Sequence, residues 1–291
     1  MQEQQKSKKI ILASLAHPDD ESFGMGGTLA LYARQGVDVH LVCGTRGEAG
    51  DVDPIYMNGF HSVAEVRMHE LSCAANALGL ASVEYLGYRD SGMPGSPDNR
   101  HPHALVAQPT EEVALKIVYH IRKLRPQVVL TFDPIGGYRH PDHIAMHLAT
   151  VQAFDLAADP QVRVEENLPP YKPQKLLFHV IPRGYLRAAV RLMRLLGQDP
   201  SRYGRNKDID LTALANVNFP VHVAVNYQRV ARQQEDAAAC HASQGGQQNR
   251  NSLVRILQRM INSKVDRFMQ AYPAPPEGYL AKDLFDGVSV N

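Results

Sequence analysis

Residues 10–21 read IILASLAHPDDE, a short apolar run that gives way at once to histidine and acidic side chains. The run Ile10–Ala16 has polar residues on both flanks, which is typical of a buried parallel strand. A second strand-like run, Gln127–Phe132, comes shortly before the segment His140–His143, which reads HPDH. Two predicted strands are therefore each followed by a loop rich in histidine and aspartate.

Strand-like and helix-like segments alternate along the chain. The predicted strands are Ile10–Ala16, Val37–Cys43, Val83–Leu86, Gln127–Phe132 and Lys175–Ile181, and the predicted helices are Gly26–Gln35, Ser62–Leu78, Thr110–Leu124, His143–Leu156 and Gln228–Cys240. This order predicts an α/β, Rossmann-like fold with a mostly parallel sheet, strand order 3-2-1-4-5 and helices on both faces. Such sheets bind ligands where the strand order reverses, here between the first and fourth strands. Those are the two strands that precede the loops.

We expect a single domain over residues 1–291, with a core at about 9–181, an insertion at about 182–220 and a C-terminal helix and tail at 221–291. The last part, 271–291, is expected to lie over the surface. The insertion carries a basic run composed of Arg183, Arg187, Arg191, Arg194, Arg202, Arg205 and Lys207. This run could bind a phosphate or carboxylate of a substrate, but a solvated helix face or a subunit contact is favoured.

The composition excludes several functional classes. A formal net charge of +1 gives no general argument for nucleic-acid binding, and no apolar stretch approaches the ~18 residues of a membrane span. Cys43, Cys73 and Cys240 are odd in number, widely separated and outside any CxxC pair. This pattern favours free thiols over a disulfide framework or a thiolate metal site. We therefore expect a cytoplasmic protein, and the sequence leaves a homo-oligomer open.

The first loop offers ligands for a catalytic metal ion. Zinc in catalytic sites usually takes three protein ligands and leaves a position for water. His17 and Asp20 lie three residues apart with Pro18 between them, and the fixed φ of proline favours a turn that brings both to one side. Asp19 then points elsewhere, and from there it could accept a proton from water.

The second loop offers a third ligand and a further group for catalysis. Pro141 suits the first position of a helix, so we expect His140 near the N-cap and His143 in the first turn. His143 supplies the third ligand. His140, on the other side of the water, could protonate the leaving group or stabilise an oxyanion as a protonated imidazole. Two histidines and one carboxylate suit Zn²⁺, and they also suit Fe²⁺.

Together the two loops resemble those of the PIG-L/LmbE-like zinc N-deacetylases, which include GlcNAc-phosphatidylinositol, mycothiol-pathway and bacillithiol-pathway deacetylases. The resemblance runs from about Lys9 to Ala153, and more weakly to His241–Gln244. The family pattern implies metal binding by His17, Asp20 and His143, a general base at Asp19, stabilisation of the tetrahedral intermediate by His140 with help from Tyr138, and orientation of these groups by Asp142.

Smaller similarities bear on the substrate. The turn Gly44–Gly50, the helical segment Arg67–Glu70, and Arg89–Met93 with Tyr138 look most like the mycothiol-type branch. There, such Arg, Asp and Tyr residues contact the sugar and the reacting centre. The resemblance implies that Glu48, Arg67 and Asp90 bind the sugar. Two alternatives stay open, namely a surface helix for Arg67 and a turn-stabilising role for Glu48 and Asp90.

The expected activity is that of a zinc-dependent hydrolase that removes an N-acetyl group from a GlcNAc-type sugar conjugate by metal-activated water. An amidase that cleaves a thiol-conjugate or another small N-acyl amine remains an alternative on the same fold. A complete set of ligands, base and second histidine disfavours a non-enzymatic binding protein. Nucleotide binding at Gly24–Gly27 is disfavoured too, because the dinucleotide fingerprint requires glycine where Leu29 stands.

Overall fold

The computed structural model describes residues 8–181, 183–203, 210–246 and 264–289. The strands are β1 (Ile10–Leu15), β2 (Asp38–Thr45), β3 (Ser82–Tyr88), β4 (Val128–Phe132), β5 (Lys175–His179), β6 (Val223–Asn226) and β7 (Val265–Tyr272). The α-helices are α1 (Asp20–Phe23), α2 (Gly26–Arg34), α3 (Val63–Leu78), α4 (Thr110–Leu124), α5 (Gly136–Arg139), α6 (Pro141–Leu156), α7 (Arg183–Leu195), α8 (Leu211–Ala215) and α9 (Ala231–Cys240). In the described ranges the strands form one sheet in the order β3-β2-β1-β4-β5-β7-β6.

The first five strands run parallel, and their order confirms the expected 3-2-1-4-5 arrangement of a Rossmann-like α/β sheet. Strands β1 and β4 are neighbours at the centre, and nearly all of their side chains are buried. Helices α2, α3 and α9 contact one another, and α4 contacts α6. Strands covered on both faces need apolar side chains on both, which explains the continuous apolar runs. The loops that follow β1 and β4 begin side by side at the reversal of strand order.

The sheet continues beyond the five expected strands. Strand β7 runs antiparallel to β5, and β6 runs antiparallel to β7. Neither strand was predicted from the sequence. In β7, two of the three buried positions hold Asp266 and Gln270, and these polar residues hide the apolar alternation. The backbone N–H and hydroxyl of Thr28 donate hydrogen bonds to Asp266 Oδ2 at 2.9 and 2.7 Å. These bonds satisfy the carboxylate inside the fold.

The cysteines contradict one expectation. Cys73 on α3 and Cys240 at the end of α9 form a disulfide, with their Cα atoms 5.7 Å apart. The prediction of three free thiols is therefore wrong, and Cys43 remains as a buried free thiol. The disulfide joins residues 167 positions apart, so no local spacing reveals it. The packing of α3 against α9 brings the two thiols together.

The predicted insertion contains α7 and α8, which pack against each other. Their shared core consists of Val190, Leu211, Leu214 and Ala215. Tyr138 from the second loop packs against this core, so the insertion lies beside that loop. Arg187 donates a hydrogen bond to the carbonyl of Ala215 at 3.0 Å, whereas Arg205 and Lys207 fall outside the described residues. Neither these helices nor any other described helix has the length and apolar character to cross a membrane.

Candidate active site

The first loop holds His17 and Asp20 in a tight turn after β1. Oδ2 of Asp20 accepts hydrogen bonds from the backbone N–H groups of His17 at 2.7 Å and Ala16 at 3.2 Å. These bonds orient the carboxylate toward the loop interior. Nδ1 of His17 lies 3.6 Å from the same oxygen, and both side chains are largely buried. The turn that Pro18 predicts therefore brings the two groups to one side.

The second loop places its histidines at the start of α6. Pro141 is the first helical residue and His140 is the N-cap, as expected. Nδ1 of His140 accepts a hydrogen bond from the Asp142 backbone N–H at 3.1 Å. His143 occupies the first turn, where its ring stacks on Phe132 with the centroids 4.0 Å apart. This stacking fixes the plane of the His143 ring.

His17, Asp20 and His143 converge as a metal site requires. Nε2 of His143 lies 3.2 Å from Nδ1 of His17 and 3.1 Å from Oδ1 of Asp20. A metal ion bound at 2.0–2.1 Å in tetrahedral geometry needs ligand atoms ~3.3 Å apart. The 3.2 Å between the two histidine nitrogens and the 3.1 Å from Nε2 of His143 to Oδ1 of Asp20 match that spacing, whereas Nδ1 of His17 lies 3.6 Å from the other Asp20 oxygen, Oδ2. Since the three groups are also shielded from water, the residues present fit a metal ion.

In the described ranges, two groups of three side chains bring all their potential ligand atoms within 4.8 Å of one another, namely His17 with His140 and His143, and His17 with Asp90 and Asp142. In the first group, the Asp142 N–H already occupies Nδ1 of His140. In the second, the two carboxylates face Nε2 of His17, on the opposite side of the ring from His143. Asp20 lies on the Nδ1 side of His17 together with His143, so three candidate ligand sets share His17.

The far side of the His17 ring is held by carboxylates. Nε2 of His17 lies 3.1 Å from Oδ2 of Asp142 and 3.4 Å from Oδ1 of Asp90. The backbone N–H of Ser91 donates to the same Asp142 oxygen at 2.9 Å. A carboxylate on the outer nitrogen is the usual support of a metal-binding histidine. The family pattern links Asp142 with His140, but the structure places its carboxylate on His17 and only its backbone N–H on His140.

Asp19 precedes Asp20 in the first loop, and its carboxylate pairs with Arg67. Nη2 of Arg67 donates a hydrogen bond to Oδ2 of Asp19 at 2.9 Å. The Asp19 backbone N–H donates to Oε2 of Glu21 at 3.0 Å. Burial raises the pKa of Asp19 to about 6, although the Arg67 cation opposes the shift. A carboxylate with that pKa suits a general base near neutral pH.

Arg67 is buried and joins two loops. Its Nη2 donates to the Pro18 carbonyl at 2.6 Å in addition to Asp19, and its Nη1 donates to the Gly47 carbonyl at 3.4 Å. Gly47 has a φ of 72°, and a Cβ at this position would collide with the guanidinium. The alternative of a surface helix for Arg67 is excluded, because only 4% of the residue is exposed. Its hydrogen bonds join the first loop to the turn after β2.

Glu48 and Asp90 connect the loops after β2 and β3. Oε2 of Glu48 accepts a hydrogen bond from the Asp90 backbone N–H at 3.0 Å. Oδ1 of Asp90 accepts one from the Gly92 N–H at 2.8 Å, and the same oxygen is the one near His17. Both carboxylates therefore stabilise turns, and that of Asp90 also borders the cluster through His17.

Tyr138 and His140 border the opposite side of the cluster. The Tyr138 ring meets the His143 ring edge-on with the centroids 4.9 Å apart, and the His140 ring at 5.9 Å. The kink in α5 lies at Gly137, which has a φ of 65°, and at Tyr138, and Gly136 before them has a φ of 63°. A Cβ at Gly136 would lie 2.8 Å from the Cβ of His143. The loop therefore depends on a glycine to bring its backbone against His143.

The structure favours a neutral His140, in contrast to the protonated ring expected from the sequence. Burial and the neighbouring His17 and His143 rings lower the pKa of His140 to about 2. Nδ1 accepts the Asp142 N–H, so the proton of the neutral ring is on Nε2. His140 can therefore donate one hydrogen bond from Nε2 toward the cluster.

Several residues that shape the site were given no role in the sequence analysis. Oδ1 of Asp133 accepts hydrogen bonds that shape the loop after β4. Glu21 pairs with His241 at 2.7 Å, and Ser243 bonds to Glu70 through its N–H and hydroxyl, both at 2.7 Å. Glu21 belongs to the first motif. The weaker resemblance over His241–Gln244 was the available signal for His241 and Ser243.

Comparison with known proteins agrees with this geometry. A model of the family described as PIG-L, GlcNAc-PI de-N-acetylase, matches residues 12–154. A 1D-myo-inositol 2-acetamido-2-deoxy-alpha-D-glucopyranoside deacetylase from Geodermatophilus obscurus is 35% identical over 247 residues, which are 82% of this chain and 83% of that protein. The chain belongs to the PIG-L family. The family expected from the two loops is thus confirmed, and the second loop and the start of α6 lie inside the matched region.

Solved structures of similar fold include proteins with different reactions. N,N'-diacetylchitobiose deacetylase from Pyrococcus horikoshii has a TM-score of 0.61 at 22% identity, over 92% of this chain and 86% of that chain. A 4-carboxy-2-hydroxymuconate hydratase from Pseudomonas putida KT2440 has a TM-score of 0.57 at 20% identity, over 93% and 98%. At these identities the likeness shows the PIG-L fold alone. Function must therefore be argued from the site.

Proposed function

We propose that this PIG-L protein is a zinc-dependent deacetylase that removes the acetyl group from N-acetylglucosamine joined to a polyol such as inositol. The observation that carries the proposal is the convergence of His17, Asp20 and His143 at 3.1–3.6 Å, with Asp19 beside them. The activity named for the Geodermatophilus relative supports the substrate class. The overall reaction converts the acetamide and water to a free amine and acetate.

Zinc held by His17, Asp20 and His143 would polarise the acetamide carbonyl and lower the pKa of the attacking water. Asp19 takes the proton from that water as it attacks the carbonyl carbon. Because Arg67 holds Oδ2 of Asp19, the proton goes to Oδ1.

His140 and Tyr138 act on the other side of the acetamide. The N–H at Nε2 of His140 donates a hydrogen bond to the carbonyl oxygen, which gains negative charge as the water adds. Such a bond lowers the barrier because it is stronger in the transition state than in the ground state. The Tyr138 hydroxyl assists from the second loop. When the C–N bond breaks, the amine leaves with the proton that Asp19 accepted.

Specificity for a sugar must come from groups outside the reacting centre, since a metal-activated water attacks many amides. Asp90 carries a carboxylate beside the cluster and Glu48 holds the backbone of Asp90, and carboxylates accept directional hydrogen bonds from sugar hydroxyls. A ligand without those hydroxyls leaves them unpaired, which lowers its affinity. The insertion that packs on Tyr138 borders the end of the site where the group attached to the sugar would lie.

The test is a deacetylation assay on metal-replete protein with a matched set of acetamides. We expect acetate and free amine, identified by mass spectrometry, from a GlcNAc–inositol conjugate at a much higher kcat/KM than from an N-acyl cysteine conjugate. Metal analysis of the same preparation should find one zinc per chain, and metal removal should abolish turnover. Turnover of the cysteine conjugate without turnover of the sugar would favour the amidase alternative instead.

A further inference from the structure

His241 lies at the end of α9, far along the chain from both loops, yet it contacts the first one. Its ring is fully buried, and Nε2 lies 2.7 Å from Oε1 of Glu21, which is fully buried as well. Nδ1 of His241 has no hydrogen-bond partner in the described ranges. The polar role of this ring in the described structure is therefore the contact with Glu21.

Glu21 also contacts Asp19. Its other oxygen, Oε2, accepts the Asp19 backbone N–H at 3.0 Å, and the Ser22 hydroxyl donates to Oε1 at 2.6 Å. Asp19 has a φ of 134° and a ψ of −24°, a conformation that residues other than glycine rarely adopt. Such backbone persists only where surrounding bonds impose it. The Glu21 bond is placed to do so, because it acts on the peptide N–H of the strained residue itself.

The segment around His241 is anchored on both sides. Cys240, the preceding residue, is joined by the disulfide to Cys73 on α3. Ser243, two residues later, donates its N–H and its hydroxyl to Glu70, also on α3, at 2.7 Å each. These anchors give His241 a fixed position from which its ring reaches the first loop.

We propose that His241 is a positioning residue that acts through Glu21 to hold Asp19 in the orientation needed for proton transfer. The inference rests on the proposed function, because it matters to the rate only if Asp19 is the general base. His241 does not touch the substrate or the three potential metal ligands. Its loss should therefore lower kcat and leave the KM and the metal content unchanged.

The experiment compares His241→Ala, His241→Gln and Tyr32→Phe in the full-length, zinc-loaded protein. We expect His241→Ala to lower kcat roughly 10- to 100-fold, the effect of one lost hydrogen bond to a charged group. The KM and the zinc content should change by less than about twofold, since the contact is remote from both groups. His241→Gln should restore most of the rate, because its amide N–H can still donate to Glu21. Tyr32→Phe is the matched control, since it removes a buried hydroxyl that donates to Asp283 at 2.6 Å, between α2 and the C-terminal segment, and none of the bonds around His241.

Several outcomes would overturn the proposal. One is a kcat for His241→Ala within twofold of the wild type, and another is an equal kcat loss in Tyr32→Phe, which would indicate general packing. If His241→Ala does not fold, Glu21→Gln tests the same contact from the other partner and must lower kcat with zinc retained.

Combination with Asp19→Ala separates this proposal from the proposed function. If His241 acts through Asp19, adding His241→Ala to Asp19→Ala should change the residual kcat by less than about twofold, since residues that act as a unit are not additive. The full multiplicative loss would show that His241 acts elsewhere and would overturn the inference. If Asp19→Ala alone keeps the wild-type rate, the general base of the proposed function fails instead.

Discussion

Replacement of Arg67 by methionine would remove the guanidinium from the wall of the site while it keeps most of the apolar stem. The guanidinium donates to Oδ2 of Asp19 at 2.9 Å and to the Pro18 carbonyl at 2.6 Å. The Arg67 side chain is 5% exposed and that of Asp19 is 19% exposed, so water replaces these bonds poorly. A hydrogen bond to a charged group contributes about 1.5–3 kcal/mol. If Asp19 needs that bond to accept its proton, kcat should fall roughly 10- to 150-fold.

A comparison of two substrates distinguishes two possible roles of Arg67. The resemblance implies that Arg67 binds the sugar, whereas its contacts favour a role in holding Asp19. A residue that positions the base affects every acetamide alike. Arg67→Met should therefore lower kcat by a similar factor on a GlcNAc–inositol conjugate and on a simple acetanilide.

Both assays use zinc-loaded protein with the metal content measured in each sample. Arg46→Met is the matched control, because Arg46 is exposed on the same turn as Gly47 and its loss should leave both rates unchanged. A loss confined to the GlcNAc–inositol conjugate, expressed mainly in KM, would refute the positioning role. Such a loss would indicate that Arg67 binds the sugar.

Three further predictions follow from the same geometry. Asp19→Asn keeps the size of the side chain but not its basicity, so kcat should fall roughly 10²–10⁴-fold with zinc retained; a near wild-type rate at saturating zinc would exclude the base. His140→Ala should lower kcat far more than it raises KM, again with zinc retained; a loss seen entirely in KM would make His140 a substrate-binding residue. Replacement of Cys73 and Cys240 by serine should lower the free energy of unfolding by about 2–5 kcal/mol, because their disulfide closes a long loop; identical denaturation midpoints would contradict this.

The parallel half of the fold could be predicted because its strands are buried on both faces and therefore read as continuous apolar runs. The strand β7 could not be predicted in this way, because its buried side chains are partly polar. Its buried positions include Asp266 and Gln270, and a buried carboxylate is acceptable only because Thr28, on a distant helix, donates to it. No local pattern records such a partner. The same holds for Cys73 and Cys240, which meet only after α3 packs on α9.

The candidate ligands could be predicted because the turn at Pro18 and the helix start at Pro141 are local features. The partners of those ligands could not. The carboxylate of Asp142 was linked with its neighbour His140, yet it contacts His17, since the direction of a side chain depends on the packing of the two loops. Arg67 was found by resemblance, which identifies a position but not the atoms that its guanidinium meets.

We expect Asp20 to complete the metal site and leave His140 free to act on the substrate. Anomalous diffraction at the zinc edge from crystals of the zinc-loaded protein locates the metal ion and so distinguishes the candidate ligand sets. We expect one strong peak at bonding distance from Nδ1 of His17, a carboxylate oxygen of Asp20 and Nε2 of His143, with His140 outside that distance. A peak bonded to His140 in place of Asp20, or one on the Nε2 side of His17 beside Asp142, would exclude this ligand set.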